Sequence, residues 1–296
     1  MSTLASPILL CLLFLAGATP SLAQTAPQAA AESAAEAPEL KATYLANEGF
    51  LLEAAGRKVL VDALVGRNPL YIIMSPATRR RLETAQGPFA GVDLVLATHY
   101  HADHFDAAAV ARHLAANPKA VFVSTPQAVA ALRQLPGFAA FQDRVRTSLP
   151  AEGRRETFPD LGLEVLNLHH GRDRKPPVEN LAFVIQLGPF KVLHVGDTEA
   201  SAKEFAAYGL AKDGIDLALL PDWLLLYERW QGVVEAVAPR RLAAMHLQTD
   251  SPADHPEKIR RFQPGVWVAQ RQGATLVVQG RDDAPSGKSA KPSPRP

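Results

Sequence analysis

Nine histidines occur in 296 residues, and three of them share six consecutive positions with an aspartate. The run reads Thr98-His99-Tyr100-His101-Ala102-Asp103-His104-Phe105-Asp106. Imidazole nitrogen and carboxylate oxygen are the donors that zinc-type divalent ions take, so the chemistry at stake is metal binding. In extended backbone, residues two apart point the same way, and His99 and His101 can grip one ion from one side. Asp103 and His104 come after the chain turns and point to a second position. The ordinary alternative is an exposed polar loop, but composition alone rarely puts three histidines this close together.

The neighbouring residues say how the run is held. Val92-Asp93-Leu94-Val95-Leu96-Ala97 before it is an apolar stretch of strand length. Asp106 to Asn117 after it is alanine-rich and helical in pattern. The motif is therefore a loop between the C-terminal end of a strand and a helix, the edge where open α/β sheets place ligands. Three further strand ends carry donors: Leu166-Asn-Leu-His169-His170-Gly171, Val192-Leu-His194-Val-Gly196-Asp197-Thr198 and Ala243-Ala-Met-His246. A lone histidine at a strand end is usually a satisfied polar residue; four donor-bearing strand ends in one chain are harder to dismiss.

The elements that must position these ends alternate along the chain. Gly49–Glu53 and Lys58–Asp62 read as a hairpin around Ala-Ala-Gly-Arg. Strands are expected at 120–124, 163–168, 181–187, 191–195, 216–220, 241–245 and 274–278. Helices are expected after Ser75-Pro76, over 127–135 behind Thr125-Pro126, and over 201–208, 227–237 and 254–262. An early hairpin succeeded by strand–helix units implies mixed sheets covered by helices.

Composition narrows the function classes. Formal net charge is +1 and 47% of residues are hydrophobic, enough for a substantial core. No basic run tracks a phosphate backbone, so nucleic acid is not an expected partner. Arg79-Arg80-Arg81 reads as a solvated helix face. Residues 8–18 are apolar but too short to span a bilayer comfortably. Ser21-Leu22-Ala23 then offers small residues for cleavage before Gln24, although no Lys or Arg precedes the apolar stretch. Residues 1–23 are thus expected to be a signal peptide that sends the chain to a periplasm or beyond, with no stable membrane insertion after cleavage. The only cysteine, Cys11, lies inside that segment. It comes after Leu10, a poor context for lipid attachment. A mature chain without thiols has no disulfide, thiolate nucleophile or thiolate ligand. Residues 24–41 read as an Ala/Pro/Glu tether, 42–280 as one folded domain, and 281–296 as a disordered tail.

The Thr-His-x-His-x-Asp-His run, a later histidine, Gly-Asp after a strand and a final strand-end histidine resemble the metallo-β-lactamase superfamily, in that order. The resemblance covers roughly residues 43–280. It implies an α/β (α+β) fold, a four-layer αβ/βα sandwich with two mixed β-sheets face to face and helices outside. It implies two divalent ions, zinc by preference. His99, His101 and one of His169 and His170 would hold the first. Asp103, His104 and His246 would hold the second, with Asp197 bridging. His170 is chosen because the family's ligand histidine usually precedes a small residue, here Gly171. Asp62 matches an upstream aspartate of the family and is expected to orient a ligand histidine. Asn180 resembles a polar residue that some members keep, and takes no assigned role.

The reaction implied by the resemblance is hydrolysis. Two metals sharing Asp197 would share a water whose pKa zinc can lower to about 7, with Asp103 orienting it or moving its proton. No Gly-x-Ser-x-Gly motif offers a rival nucleophile. True β-lactamases of the superfamily generally lack the bridging aspartate. Gly196-Asp197-Thr198 is instead the pattern of its general hydrolases, which act on esters, thioesters, lactones, amides or phosphodiesters of small molecules. The competing classes are a mononuclear-iron sulfur dioxygenase-like oxidoreductase and a non-catalytic metal-binding module. Among the other histidines, His113 is expected to be exposed on its helix, His194 to sit in the core or support a ligand, and His255 to start a helix. Residues 66–91 and 222–230 are expected to wall the pocket. Trp223, Tyr227 and Trp230 are expected to be helix packing rather than a stacking surface.

Overall fold

A computed structural model describes residues 37–281. The first half runs through β1 (Glu39–Ala46), β2 (Gly49–Ala54), β3 (Arg57–Val61), α1 (Pro76–Glu83), β4 (Leu94–Leu96), α2 (Ala107–Ala116), β5 (Val121–Ser124), α3 (Pro126–Arg133) and β6 (Val145–Thr147). The second half continues with β7 (Arg155–Phe158), β8 (Leu163–Asn167), β9 (Leu181–Leu187), β10 (Phe190–His194), α4 (Ala202–Ala207), β11 (Leu217–Pro221) and α5 (Asp222–Leu226). It ends with α6 (Val233–Val237), β12 (Arg241–Met245), α7 (His255–Phe262), β13 (Trp267–Val268) and β14 (Thr275–Gln279).

These strands form two seven-stranded sheets, β14-β1-β2-β3-β4-β5-β6 and β13-β12-β11-β10-β9-β8-β7. Both are mixed. In the first, β3 to β6 run parallel and β14 to β3 antiparallel. In the second, β10 to β13 run parallel and β7 to β10 antiparallel.

The two-residue period of the strands separates the layers. Phe50, Leu52, Val59, Val61, Leu94 and Leu96 enter the core shared with the second sheet. Their neighbours Leu51, Leu60 and Val95 face the other way, onto Leu82 of α1, Val110 and Leu114 of α2, and Val129 and Leu132 of α3. Phe205 of α4, Val233 and Val237 of α6 and Ile259 of α7 pack with the strands of the second sheet. The result is the expected sandwich of two mixed sheets flanked by helices.

Caps start the helices where short polar side chains stand. Ser75, Asp106 and Thr125 each accept a backbone N–H of the first turn. Ser201 and Glu204 form a reciprocal capping box on α4. Burial opposes the charge on Glu204, but the Ser201 backbone N–H, the Arg172 guanidinium and the Ser201 hydroxyl outweigh it and hold the pKa at about 2. The folded value lies below the unfolded one. The carboxylate's contribution is therefore complete above about pH 4.3 and is lost as pH falls toward 2. A third of the side chain is exposed, so solvent limits the contribution to about 1 kcal/mol. Glu204→Gln is expected to lower the urea midpoint at neutral pH, and the gap to wild type should narrow between about pH 4.5 and about pH 3. A gap that stayed constant through that range would contradict this account.

Several expectations change. The folded region begins before residue 42: Glu39, Leu40 and Lys41 open β1, with Leu40 fully buried against β14. Arg281, placed in the tail, bonds the buried Asp216 carboxylate at 3.1 Å. The helix expected over 227–237 is two pieces, a 3-10 turn at Glu228–Trp230 and then α6, while α5 ends before that span at Leu226. Gly232, with φ of 89°, cannot continue a right-handed helix and separates the two. The short strands β6 and β7 were not anticipated. They lie at sheet edges, half-exposed, and lack apolar alternation. His113 is fully buried rather than exposed, its Nδ1 2.6 Å from the Leu82 carbonyl at the end of α1. Of the basic triplet only Arg80 and Arg81 are solvated, because Arg79 pairs with Glu83 and Asp106. The expected signal peptide, most of the tether and the rest of the tail lie outside the described residues. Among the described residues no helix is long and apolar enough to cross a membrane.

Candidate metal centre

The donors gather at the C-terminal ends of strands from both sheets. Thr98 to His104 leaves β4, while His170 lies beyond β8, Asp197 beyond β10 and His246 beyond β12. A backbone bond from the Leu181 N–H at the start of β9 to the Thr98 carbonyl, 3.0 Å, ties the two sheets together here. One donor atom from each of His99, His101, His170 and Asp197 lies within 4.8 Å of the others. Asp103, His104, Asp197 and His246 form a second such group. Every expected ligand is thus in one of two quartets, and Asp197 is in both.

The spacings match donors arranged around ions. Around a tetrahedral ion with bonds near 2.0–2.1 Å, neighbouring ligand atoms stand about 3.4 Å apart. His170 Nε2 and His246 Nε2 lie 3.4 and 3.2 Å from Asp197 Oδ2, and His104 Nε2 lies 3.1 Å from Asp197 Oδ1. His104 Nε2 is 3.6 Å from Asp103 Oδ2. Buried His170 Nε2 and Asp197 Oδ1 have no hydrogen-bond partner in the protein, which is costly for polar atoms unless something binds there. Burial first, then the neighbouring imidazoles, lowers the pKa of His99 and of His101. Both rings therefore keep a free lone pair at neutral pH, the form that ligates. Burial opposes the charge on Asp197, but His104 and His246 hold it well below the usual carboxylate range. The donor set fits divalent metal ions.

A supporting network fixes the rings. Asp62, at the end of β3, accepts the Thr98 N–H at 2.7 Å and the Thr98 hydroxyl at 2.6 Å. Its Oδ2 lies 2.8 Å from His104 Nδ1, while Thr98 Oγ1 lies 3.0 Å from His99 Nδ1. With Nδ1–H donating in both rings, Nε2 of each is left facing Asp197. Asp62 thus orients a candidate ligand, as expected. His194 is buried with Nε2 2.9 Å from the Glu48 carbonyl, joining β10 to the β1–β2 turn rather than entering a quartet. His255 begins α7 and pairs with Asp222 at 2.6 Å.

The adjacent pair His169 and His170 is separated by backbone direction. His170 points into the first quartet, while His169 Nε2 turns to Glu204 at 3.2 Å. Asn180 has a definite part: its amide donates to the Leu168 and Val195 carbonyls, bracing the two strand ends that carry His170 and Asp197. Gly196 sits beneath it with φ of 59°, and a Cβ there would lie 2.4 Å from Asn180 Oδ1. Trp223 packs edge-on against His246 at 4.7 Å and donates Nε1–H to the Thr198 carbonyl. Trp230 is buried and donates to the Glu199 carbonyl, whereas Tyr227 is exposed.

Three residues at the centre were not foreseen. Asn47 Nδ2 reaches Asp103 Oδ2 at 3.2 Å. The Tyr71 hydroxyl lies 3.1 Å from His246 Nε2. Burial, then the charges of Asp103 and Asp197, raises the Tyr71 pKa and keeps the phenol protonated. Glu48 is fully buried 3.8 Å from His104 Nδ1, and burial, then Asp197, pushes its carboxyl well up. Its neighbour Asn47 sits in the β1–β2 turn with positive φ, and two polar residues in a tight turn read as turn chemistry in a sequence.

Two mixed sheets with a shared edge of histidines and aspartates define the metallo-β-lactamase class of fold. A family model described as "Beta-lactamase superfamily domain" matches residues 57–255. A UPF0173 metal-dependent hydrolase of Pyrococcus furiosus is 25% identical over 230 residues, covering 75% of this chain and 92% of its own. Two solved structures share the fold. One is Igni18, a metallo hydrolase from Ignicoccus hospitalis (TM-score 0.53, 21% identity, 82% of this chain and all of that one). The other is the metallo-β-lactamase fold protein YhfI from Bacillus subtilis (TM-score 0.55, 14% identity, again 82% and 100%). The chain belongs to the β-lactamase superfamily, and the Pyrococcus and Ignicoccus proteins it resembles are called hydrolases rather than β-lactamases.

Proposed function

We propose that this protein is an exported hydrolase that uses two divalent ions, zinc by preference, to cleave a bond in a small molecule. The observation that carries this reading is the pair of donor quartets sharing Asp197. Nitrogen and oxygen donors without thiolate suit zinc. Bound metal of this kind supplies Lewis acidity, which makes water acidic enough to ionise near neutral pH and polarises the oxygen of the bond to be broken.

The residues around the centre divide the remaining work. His99, His101 and His170 would hold one ion, Asp103, His104 and His246 the other, and Asp197 both. Asp103, steadied by Asn47, has a carboxylate oxygen free to orient the attacking water and accept its proton. The protonated Tyr71 hydroxyl can donate to an oxygen that gains charge during the reaction. Export rests on the sequence of residues 1–23, and a small-molecule substrate on the cavity of about 350 Å3 that Asn47, Tyr71 and Asp103 line.

Metal analysis of protein from its native host, paired with a hydrolysis screen over esters, thioesters, lactones, amides, phosphodiesters and β-lactams, tests the proposal. Two zincs per chain and turnover that chelator abolishes and zinc restores are expected. A single iron per chain with oxygen consumption would replace hydrolysis by the dioxygenase reading. An N-terminus at Gln24 in that preparation would support export, and one at Met1 would refute it.

A further inference from the structure

The centre opens on one side into a cavity of about 350 Å3. Asn47, Asp103 and Tyr71 line it where it meets the donors, and Leu64, Val65, Ile72, Met74 and Leu82 form its inner walls. Ile73, half-exposed, extends the apolar surface at the rim. Walls of this kind favour hydrocarbon and offer nothing to a charged or strongly hydrated group. The charges that do reach the cavity discourage anions. Asp103 and Glu83 are acidic, and the Arg79 guanidinium is already taken by Glu83 and Asp106 at 2.7 and 2.8 Å. Arg67 also lines the cavity but is exposed to solvent. The volume is roughly ten times the share of one water molecule, which gives room for a chain of several carbons.

Resting on the hydrolase reading, we infer that this cavity seats the acyl chain of a carboxylic ester or thioester. The acyl carbonyl lies at the mouth between Asp103 and Tyr71. Water adds its oxygen to the acyl carbon, the bond from that carbon to the departing oxygen or sulfur breaks, and the proton taken up by Asp103 passes to the departing group. Acid and alcohol or thiol are released, with no change in oxidation state.

The test uses the full-length protein as purified with its metal. p-Nitrophenyl acetate, butyrate, hexanoate and octanoate are compared with the N-acetylcysteamine thioesters of the same acids. kcat/KM is expected to rise about fourfold for each added methylene until the cavity is filled. Which series turns over faster distinguishes an oxygen ester from a thioester. In parallel, calorimetric titration should show octanoate binding at least tenfold tighter than acetate. Ala109→Leu, which narrows the cavity from α2, should reduce the octanoate-to-acetate ratio in both measurements. Ile73→Asp, at an exposed position that leaves the core intact, should do the same. Turnover with no gain along the chain series overturns the acyl inference and leaves the hydrolase reading standing. Octanoate binding over acetate with no turnover of any ester or thioester overturns the inference that an ester or thioester is the substrate, and turnover of the lactones, amides or phosphodiesters then decides the hydrolase reading. Neither turnover nor chain-dependent binding overturns the inference outright.

Discussion

Asp197→Asn is expected to lower kcat/KM by at least about 1000-fold, a loss of about 4 kcal/mol in transition-state stabilisation. The two carboxylate oxygens serve different neighbours: Oδ1 faces His104 Nε2, and Oδ2 faces His170 Nε2 and His246 Nε2. An amide keeps the shape but removes the charge shared by both quartets and points a donor at atoms that should meet an ion. Metal content should fall with activity. Near-native circular dichroism is expected, because the core is built from apolar strands that the side chain does not support. Elemental analysis and kinetics on a substrate identified in the screen check this. A variant with full metal content and wild-type turnover would remove Asp197 from the centre.

Asp62→Ala is expected to be the costliest change for stability, about 3–5 kcal/mol. It strands the Thr98 N–H, the Thr98 hydroxyl and His104 Nδ1, all buried and all without another route to solvent. Metal affinity should fall about 10- to 100-fold as well, because His104 loses the partner that sets its orientation. Asp62→Asn separates the two effects. Its carbonyl oxygen can still accept the Thr98 N–H, so part of the stability returns. Its amide nitrogen would face His104 Nδ1, so the affinity loss remains. Urea unfolding of the metal-free variants and chelator competition measure the two quantities. Equal metal affinity in wild type and both variants would contradict the orienting role.

How far the centre could be read in advance varied with the kind of interaction. His99, His101, Asp103 and His104 announced themselves because their donors are consecutive and compositionally rare. His170, Asp197 and His246 were reachable because each ends an apolar strand and matches an ordered family pattern. The hairpin of β2 and β3 and the strand–helix units were legible for a similar reason: periodicity is local. Edge strands β6 and β7 were not, because half-exposed residues carry no alternation. The break at Gly232 was missed because the surrounding residues favour helix, and one left-handed glycine overrides them. His113 was misplaced for want of α1, whose last turn supplies both its cover and its hydrogen-bond partner.

The chain alone therefore determined the donor inventory and the layering, because side-chain chemistry and hydrophobic period are properties of short segments. Only the tertiary structure showed His169 turned away toward Glu204, the bracing by Asn180, and the approach of Asn47 and Tyr71. The Tyr71 hydroxyl and His246 are 175 residues apart, brought together by an irregular segment with no period to read. The cavity beside them is likewise the space left between the end of β1, the loop that joins β3 to α1, and α1 and α2 themselves. Its shape comes from how those elements pack against one another, and no stretch of sequence carries that by itself.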